Sequence, residues 1–462
     1  MFRKNDKQIG AQKFNRIQRY SASLLRVVFW LGALVTMALA TPTNGTVQAV
    51  NNNLALSATN GNKIVVAPNN SLHSVYAENG QIKYTASADG TKWTFPLVIS
   101  LGSGTTNPTI AVASKNGKVI VGVAYVDGVA KAPFYTYTVM GSGFWIQPVL
   151  VAGDSGLAAT EPSMVGYGEN MHLAWNGSGV TLHYAGFAAD ATANPILPVS
   201  EDVRVLFLGL GPGYSFALPS IAVSKTSASD NTPLVRIAYW QYCNNYGTSF
   251  PPFINVEVAT RPAGQEIEWP WKSVMSYGVY LDGSASFIGN NLRLTALSMA
   301  ANATTGDFYV AFSYQWRKWT NNANLSSTEL YFQNAWTGNG SWQKETLLSK
   351  ATQIDVTSTN GTMRRVRIAV SEVDSNGWGA TWFRTAQHQG GLTWLQLPVA
   401  MGTQGRDPQA LFWSRLCFEG VRATVGKWRE NYIFYTAYDS NSTPNQKITL
   451  GSEEGCCLCD AT

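Results

Sequence analysis

Four carboxyl groups near the ends of predicted strands have the chemistry of a hydrolytic site. They belong to Glu161, Asp282, Glu372 and Asp407. In glycoside hydrolases, two carboxyl groups held at a suitable separation cleave the glycosidic bond. Acidic side chains at strand ends also form turns by accepting hydrogen bonds from nearby backbone N–H groups. The sequence therefore leaves both a catalytic and a structural interpretation open for these four acids.

A second set of residues is aromatic and lies in four long segments between predicted strands, at 207–218, 242–253, 276–291 and 315–327. Exposed aromatic rings with polar neighbours suit a sugar ring or a protein partner, because they supply contact area at low entropic cost. The alternative is that the segments pack on one another as a small core. The binding residues predicted from this set are Tyr214, Tyr242, Tyr246, Tyr280, Trp316, Arg317 and Trp319.

Other catalytic and cofactor patterns are missing from the sequence. The four histidines, His73, His172, His183 and His388, fall in no metal-binding or triad pattern. The glycine-rich stretch 208–213 lies between predicted strands, whereas a phosphate-binding loop connects a strand to a helix. We therefore predict no cofactor and no metal site, and we assign no catalytic residue.

A repeated hairpin indicates which elements position these residues. Residues 87–93 place a polar turn of Ser87, Asp89 and Gly90 just before a tryptophan, and the combination of turn and tryptophan recurs along the chain. The spacing gives a unit of about 50 to 70 residues, a period typical of repeat architectures. The tryptophans concerned are Trp93, Trp145, Trp269, Trp342 and Trp394.

Each unit contains short strands rich in β-branched and aromatic residues, separated by Gly, Asn and Asp. This pattern predicts an all-β fold, a seven-bladed β-propeller with six blades as the alternative. The first strands of the blades are expected near residues 64, 109, 163, 220, 295, 353 and 409. A strand within 46–57 has no unit of its own, so we expect it to complete the last blade and close the ring. Each tryptophan should start an outermost strand and wedge against the neighbouring blade.

The hairpin also resembles the Asp-box (BNR) repeat of sialidase-like propellers, whose motif is Ser-x-Asp-x-Gly-x-Thr-Trp. Ser87, Asp89, Gly90 and Trp93 match it with one residue missing. The resemblance implies the propeller fold. It does not transfer catalytic residues, because sialidases carry an arginine triad that begins near the start of the domain. This chain has no arginine between Arg26 and Arg204.

The N-terminus reads as a secretory signal peptide over residues 1–40. Seven Lys or Arg precede an uncharged apolar run of 14 residues, which ends at a small-x-small site, Ala38 to Ala40. The alternative is an uncleaved membrane anchor. Residues 41–462 hold 26 basic and 27 acidic side chains. A nucleic-acid partner is not expected, because such proteins carry a basic surface.

We expect a single propeller domain at 41–450 and a cysteine-rich tail at 451–462. The tail cysteines Cys456, Cys457 and Cys459 could pair within the chain or link copies of it in an oxidising compartment. The predicted function is that of a secreted or cell-surface propeller that binds glycan or protein through one loop-rich face without catalysis. A structural subunit of a surface layer or filament and a divergent sialidase-like glycoside hydrolase are the alternatives.

Overall fold

The computed structural model describes residues 43–52, 54–57, 60–151, 159–177, 181–196, 201–205, 214–225, 230, 232–243, 253–263, 269, 271–278, 293–317, 324–333, 343–348, 353–358, 364–373, 376, 378–389, 391–395, 398–417, 427–440 and 443–452. Within these ranges the regular elements are β-strands, and no helix is long and apolar enough to cross a membrane. The predicted all-β class is confirmed. The predicted signal peptide and the three tail cysteines lie outside the described residues.

The strands form five four-stranded antiparallel sheets and one eight-stranded sheet. The first described strand, β1 (Thr43–Val50), belongs to the eight-stranded sheet. The first two four-stranded sheets contain β2 (Ile64–Val66), β3 (Leu72–Glu78), β4 (Gln81–Ser87) and β5 (Leu97–Val98), then β6 (Thr106–Lys115), β7 (Lys118–Val126), β8 (Pro133–Val139) and β9 (Val149–Leu150).

The next three sheets repeat this order. They contain β10 (Ala159–Tyr167), β11 (Asn170–Gly177), β12 (Thr181–Ala188) and β13 (Glu201–Val205); β14 (Tyr214–Lys225), β15 (Pro233–Cys243), β16 (Phe253–Pro262) and β17 (Trp271–Gly278); and β18 (Arg293–Ala301), β19 (Phe308–Arg317), β20 (Asn324–Gln333) and β21 (Gln343–Leu348). The eight-stranded sheet adds β22 (Gln353–Ser358), β23 (Arg365–Val373), β24 (Gly379–His388), β25 (Leu392–Trp394), β26 (Val399–Cys417), β27 (Lys427–Tyr438) and β28 (Gln446–Ser452).

The second strands of the first two sheets show why these segments form strands. β7 reads KVIVGVAYV, and every residue from Ile120 to Val126 is buried. β3 is buried along its whole length. Continuous runs of β-branched and aromatic residues suit a strand that is covered on both faces. The outermost strand β5 is only two residues long and exposed, which keeps the free sheet edge short.

The first strands of the sheets surround a central channel. β2 contacts β6, the contacts continue through β10, β14, β18 and β22 to β26, and β26 contacts β2 again. The sheets therefore form a closed, propeller-like ring. These strands lie at the positions predicted from the sequence, near residues 64, 109, 163, 220, 295, 353 and 409. We call the face on which the first strands begin and the second strands end the upper face.

A series of hydrogen bonds joins each first strand to the next, and we call this set the hub ring. Each bond runs from a backbone N–H of one strand, or of the residue just before it, to an oxygen of the preceding one. Six of the seven acceptors are side-chain oxygens. The pairs are Ile110 N to Asn62 O (2.9 Å), Met164 N to Thr109 Oγ1 (3.2 Å), Ile221 N to Ser163 Oγ (3.2 Å), Met299 N to Ser220 Oγ (2.9 Å), Val356 N to Ser298 Oγ (3.2 Å), Ala410 N to Asp355 Oδ2 (2.7 Å) and Lys63 N to Gln409 Oε1 (2.9 Å).

A bulge in four of these strands positions the acceptor side chains. In each strand a residue with φ between 50° and 52° precedes a proline, and the register with the second strand shifts at this point. The residue after each proline supplies the hub-ring acceptor. The bulge residues are Asn107, Glu161, Leu218 and Asp407, and the acceptors after the prolines are Thr109, Ser163, Ser220 and Gln409. The X-Pro repeat therefore has a structural purpose in the ring.

The segment 60–63 closes the channel on the upper face. Asn60 Nδ2 donates to the backbone oxygens of Glu161 and Pro219, both at 2.7 Å, so this side chain reaches two sheets. A Cβ atom at Gly61 would lie 2.6 Å from the Pro162 oxygen, so only glycine fits there. Below this segment lies a cavity of about 310 Å³, lined by residues of all seven first strands.

The eight-stranded sheet is closed by the N-terminal strand, as the sequence predicts. β1 pairs with β28 from Thr43, opposite Ser452, to Val50, opposite Gln446. The strand β26 is 19 residues long because it belongs to both halves of this sheet. Its first part, 399–405, pairs with β24, and the rest, from Gly405, pairs with β27.

The repeated tryptophans pack between sheets. Trp93 packs on a cluster that includes Leu72 of its own sheet and Phe434 and Ile448 of the eight-stranded sheet. Trp145 meets Tyr84 of the preceding sheet edge-on, with ring centroids 4.8 Å apart.

Trp269 and Trp394 make equivalent contacts. Trp269 meets Tyr184 of the preceding sheet at 5.1 Å. Trp394 packs on a cluster that includes Tyr309. Trp342 lies outside the described residues.

One detail of the predicted hairpin is different in the structure. Trp93 and Trp145 precede their outermost strands by four residues instead of starting them. The chain is nevertheless tied to the third strand beside each tryptophan, because Thr94 N donates to Ala86 O and Ile146 N donates to Tyr137 O.

The turn before Trp93 has the hydrogen bonds expected of its residue types. Asp89 Oδ1 accepts the backbone N–H groups of Thr91 and Lys92, both at 2.8 Å. These bonds, led by the one from Lys92, hold the pKa of the Asp89 carboxyl well below its usual range. Gly90 has φ of 70°, which a residue without a Cβ adopts at no steric cost.

Candidate functional site

The candidate site lies on the upper face, where β26 passes from one half of the eight-stranded sheet to the other. Gly405 of β26 pairs with Gly379 of β24 on one side and with Ala437 of β27 on the other. A Cβ at Gly379 would lie 1.8 Å from the Glu372 oxygen, and one at Gly405 would lie 2.2 Å from Thr381 Oγ1. The two glycines therefore allow the three strands to meet closely. This register places residue 404 opposite residue 438, and residue 378 directly precedes β24 beside them.

Residues 378, 404 and 438 and their neighbours line a cleft of about 390 Å³, which we call the seam cleft. Its aromatic walls are Trp378 and Tyr438, whose ring centroids lie 5.5 Å apart with the planes tilted by 43°. Both rings are partly exposed to solvent, and the rest of the lining is exposed and polar. The complete lining is Asn376, Trp378, Thr403, Gln404 and Tyr438. The volume lies within the range typical of small-molecule sites.

The charged groups beside the seam cleft are paired. The guanidinium of Arg406 lies 5.8 Å from the centre of the Trp378 ring, and its Nε donates to Asp407 Oδ2 at 3.0 Å. On the other wall, Lys447 Nζ donates to Asp439 Oδ2 at 2.6 Å. An arginine over the face of an indole ring helps to fix its orientation through a cation–π contact.

Two buried acidic side chains, Asp355 and Asp407, lie near Lys63 at the top of the channel. Asp355 Oδ1 accepts Ser298 Oγ at 2.6 Å, and Asp407 Oδ1 accepts Gln353 Nε2 at 2.7 Å. Glu161 Oε2 accepts the backbone N–H of Leu218 at 2.7 Å. Of the four acids named in the sequence, Glu161 and Asp407 thus bond different neighbours, Glu372 lies on β23, and Asp282 lies outside the described residues.

Burial dominates the ionisation of this cluster. Desolvation raises the pKa of Asp355 to about 7 and also raises the pKa values of Asp407 and Glu161. Desolvation lowers the pKa of Lys63 to about 7, against the opposing effect of Asp407 and then Asp355. A carboxyl group with a pKa near 7 is suited to acid catalysis. Asp355 and Asp407 are 4% and 1% exposed, however, so both are covered from substrate. Asp355 is a hub-ring acceptor, and Asp407 bonds Gln353 of the neighbouring first strand.

The predicted aromatic binding residues fall in a part of the chain that is only partly described. Tyr214, Tyr242, Trp316 and Arg317 lie at the ends of β14, β15 and β19, so these strands extend into segments that the sequence assigns to loops. Residues 214 and 242 come from paired strands, since Tyr214 lies opposite Cys243 and Ser215 opposite Tyr242. The residues Tyr246, Tyr280 and Trp319 lie outside the described residues. Their part in binding stays a prediction.

Within the described ranges, no three His, Cys, Asp or Glu side chains are grouped so that they could hold a metal ion. The buried histidines instead pair with tyrosines. His73 Nδ1 lies 2.6 Å from Tyr84 Oη, and His172 Nδ1 lies 2.8 Å from Tyr184 Oη. Burial lowers the pKa values of both histidines to about 4, so both are neutral near pH 7.

The sequence reasoning missed the seam cleft because its residues come from three separate segments. Trp378 and Gln404 each stand next to a glycine, in the stretches GWGATW and TQGR, and Tyr438 ends a strand before a polar turn. A tryptophan flanked by glycines at the start of a strand was the signal available. Only the pairing of β26 with both β24 and β27 shows that the three segments meet.

The described residues thus define an all-β protein of propeller-like architecture with an aromatic cleft on one face. No family model matches the sequence, and no curated protein matches it. Solved structures similar to this chain include the polysaccharide lyase Uly1, with a TM-score of 0.49, 13% identity and coverage of 85% of this chain and 90% of that one.

Two further similar structures are the α-L-arabinofuranosidase Arb93A of Fusarium graminearum and the sialidase NanB of Streptococcus pneumoniae. The first has a TM-score of 0.44 and 10% identity, and the match covers 90% of this chain and 98% of that one. The second has a TM-score of 0.37 and 9% identity, with coverage of 86% and 69%. At these scores and identities the likeness carries no argument about activity, so the function is argued from the residues of this chain.

Proposed function

We propose that this chain is an exported seven-bladed β-propeller that binds a glycan in the seam cleft without catalysing a reaction. The propeller would be one domain spanning about residues 41–450, displayed on a cell surface or secreted after removal of residues 1–40. The observation that carries the proposal is the seam cleft itself, with two aromatic walls and uncharged polar side chains between them.

The blade count follows from treating the eight-stranded sheet as two blades joined along β24 and β26. One blade would be β22 to β25 with the start of β26, and the other the rest of β26 with β27, β28 and β1. The hub ring supports this division, because it has one hydrogen bond for each of seven first strands.

The seam cleft suits a sugar for two reasons. Partly exposed aromatic rings offer flat apolar surfaces to the C–H faces of a sugar ring. The amides of Asn376 and Gln404 and the hydroxyl of Thr403 both donate and accept hydrogen bonds, as sugar hydroxyls do. A protein partner is the alternative ligand of the same surface.

The absence of catalysis is supported by the state of the buried acids. Asp355 and Asp407 are engaged in the hub and covered, and the seam cleft lining contains no carboxylate among the described residues. A glycoside hydrolase needs two carboxyl groups that face its substrate. Incubation with the bound glycan should therefore release no product over a day, and turnover would favour the hydrolase alternative.

The test of binding is a glycan array on the exported protein, followed by titration with the best glycan. Trp378→Ala and Tyr438→Ala should each weaken binding at least tenfold, the loss typical of an aromatic anchor. The matched control is Phe144→Ala, since Phe144 is also an exposed aromatic (62%) but lies on another sheet. Unchanged affinity in Trp378→Ala would place the ligand elsewhere and reject the proposal for this cleft.

The aromatic segments at blades four and five are a second surface for the same class of ligand. Trp316→Ala or Trp319→Ala should weaken binding at least tenfold with little change in thermal stability. Large destabilisation with affinity kept would show instead that these segments pack on themselves. Self-association through Cys456, Cys457 and Cys459 is likewise proposed, and non-reducing electrophoresis of the exported protein tests it.

A further inference from the structure

The charges around the seam cleft identify the class of sugar that it accepts. We infer that the ligand is an uncharged pyranose, and that acidic sugars are selected against. This inference rests on the proposed function of the cleft and makes it more specific. Its argument has three steps, concerning Arg406, the opposite wall and the polar lining.

The first step is that Arg406 is already committed to a buried carboxylate. Its Nε donates to Asp407 Oδ2 at 3.0 Å, and the two side chains are 10% and 2% exposed. Asp407 also accepts Gln353 Nε2, and its own backbone N–H donates to Gln353 Oε1. If Arg406 turned to a ligand carboxylate, it would leave the Asp407 charge buried without its cation, which is strongly destabilising.

The second step concerns the wall formed by Tyr438. The next residue, Asp439, carries a charge, but Lys447 holds it at 2.6 Å. Lys447 is therefore already paired with an acid and offers no cation to a ligand carboxylate. A negatively charged sugar would therefore gain no ion pair at either wall to offset the water that its carboxylate loses on binding.

The third step is the match between the lining and a neutral ring. Trp378 and Tyr438 stand at 43° to each other, so together they form an open V with two apolar faces. The remaining lining side chains, Asn376, Thr403 and Gln404, are uncharged. An uncharged sugar needs no counterion and loses less solvation on entering such a cleft than a carboxylate does.

The experiment compares neutral and acidic versions of one sugar on the exported protein. Galactose is titrated against galacturonate and lactose against sialyllactose, each at about 50 and 500 mM NaCl, with wild type and Trp378→Ala. The neutral member of each pair should bind at least tenfold more tightly. Its affinity should change less than twofold with salt, since screening acts on charged interactions.

A charge-change variant tests the cause of the preference. Gln404 is exposed, so Gln404→Lys should fold normally. This variant places an unpaired cation in the lining. It should lower the ratio of the affinities for the neutral and the acidic sugar at least fivefold. Gln404→Glu is the matched control and should not lower this ratio.

The outcomes separate the inference from the proposed function. Preferred binding of the acidic sugar, lost at high salt and abolished in Trp378→Ala, would overturn the uncharged ligand and keep the cleft as a glycan site. Glycan binding that survives intact in Trp378→Ala, or no binding of any glycan, would reject the proposed function and the inference with it.

Discussion

The hub ring predicts a particular energetic coupling between Ser163 and Ser220. Ser163 Oγ accepts Ile221 N at 3.2 Å and donates to Asn60 O at 2.8 Å. Ser220 Oγ accepts Met299 N at 2.9 Å and donates to the same Asn60 oxygen at 3.1 Å. Both serines are buried. Each hydroxyl therefore satisfies its own backbone N–H, and the two share one carbonyl oxygen.

The expected free energies follow from these contacts. Ser163→Ala or Ser220→Ala alone leaves one buried N–H without an acceptor, which costs about 1–3 kcal/mol. In either single variant Asn60 O keeps the other hydroxyl. In the double variant this carbonyl loses both donors, so the double variant should exceed the sum of the singles by about 1–3 kcal/mol.

The assay is urea unfolding, analysed as a double-mutant cycle at constant m-value. The control is Ser358→Ala, because Ser358 also lies on a first strand and its buried Oγ has no hydrogen-bond partner among the described residues. This control should change stability by less than about 0.5 kcal/mol. The role assigned to the ring would be refuted if the single variants lost no more free energy of unfolding than the control. It would also be refuted if the loss in the double variant equalled the sum of the losses in the two single variants.

Three further predictions concern the wedge, the buried charges and the leader. Trp145→Ala should cost about 3–5 kcal/mol, because the ring packs between two sheets, and an unmoved thermal midpoint would contradict the wedge. The folded chain keeps a proton on Asp355 up to about pH 7, against 3.8 unfolded, so stability should fall as pH rises between these values. It should rise from about pH 7 to 10.5, where the unfolded chain holds the Lys63 proton that the folded chain has lost. Asp355→Asn should make the falling arm shallower in denaturant titrations at pH 4 to 7, because Asp407 and Glu161, whose pKa values are also raised, still contribute to it. An unchanged slope would contradict this assignment. Mass spectrometry should show that the exported protein begins after Ala40. An intact Met1 would favour an uncleaved membrane anchor.

The sequence predicts the strands well because their signal is local. Alternating and β-branched runs predicted the first strands within a few residues of their positions. The N-terminal closing strand was predicted because the last repeat lacked a fourth strand. The X-Pro stretches were recognised only as strand starts. Their role in the hub depends on φ values near 50° at Asn107 and Asp407, and on contacts between sheets.

The candidate site was harder to predict because its signal is not local. The aromatic segments chosen from the sequence stand out by length and composition. The seam cleft stands out by neither, since Trp378 and Tyr438 are 60 residues apart and meet through the pairing of a third strand. The switch of β26 between two partners depends on Gly379 and Gly405, and single glycines are common in this chain. Asp407 was named from the sequence, but Asp355, the acid that accepts a hub-ring bond, was not, because its role depends on contacts with residues of other sheets.

The pairing of β1 with β28 has a consequence for how the protein is made. The partners Thr43 and Ser452 lie at opposite ends of the sequence, so the first strand to be synthesised must wait for the last. At typical rates, about 400 residues take roughly 20–80 s to synthesise. During that time β1 has no partner, and the edge it will cover does not yet exist. A chain that stops short of β28 would expose unpaired strands to any neighbour, so we expect truncated products to aggregate or to need a holdase chaperone. Completion of synthesis is therefore the event that ends this vulnerable period.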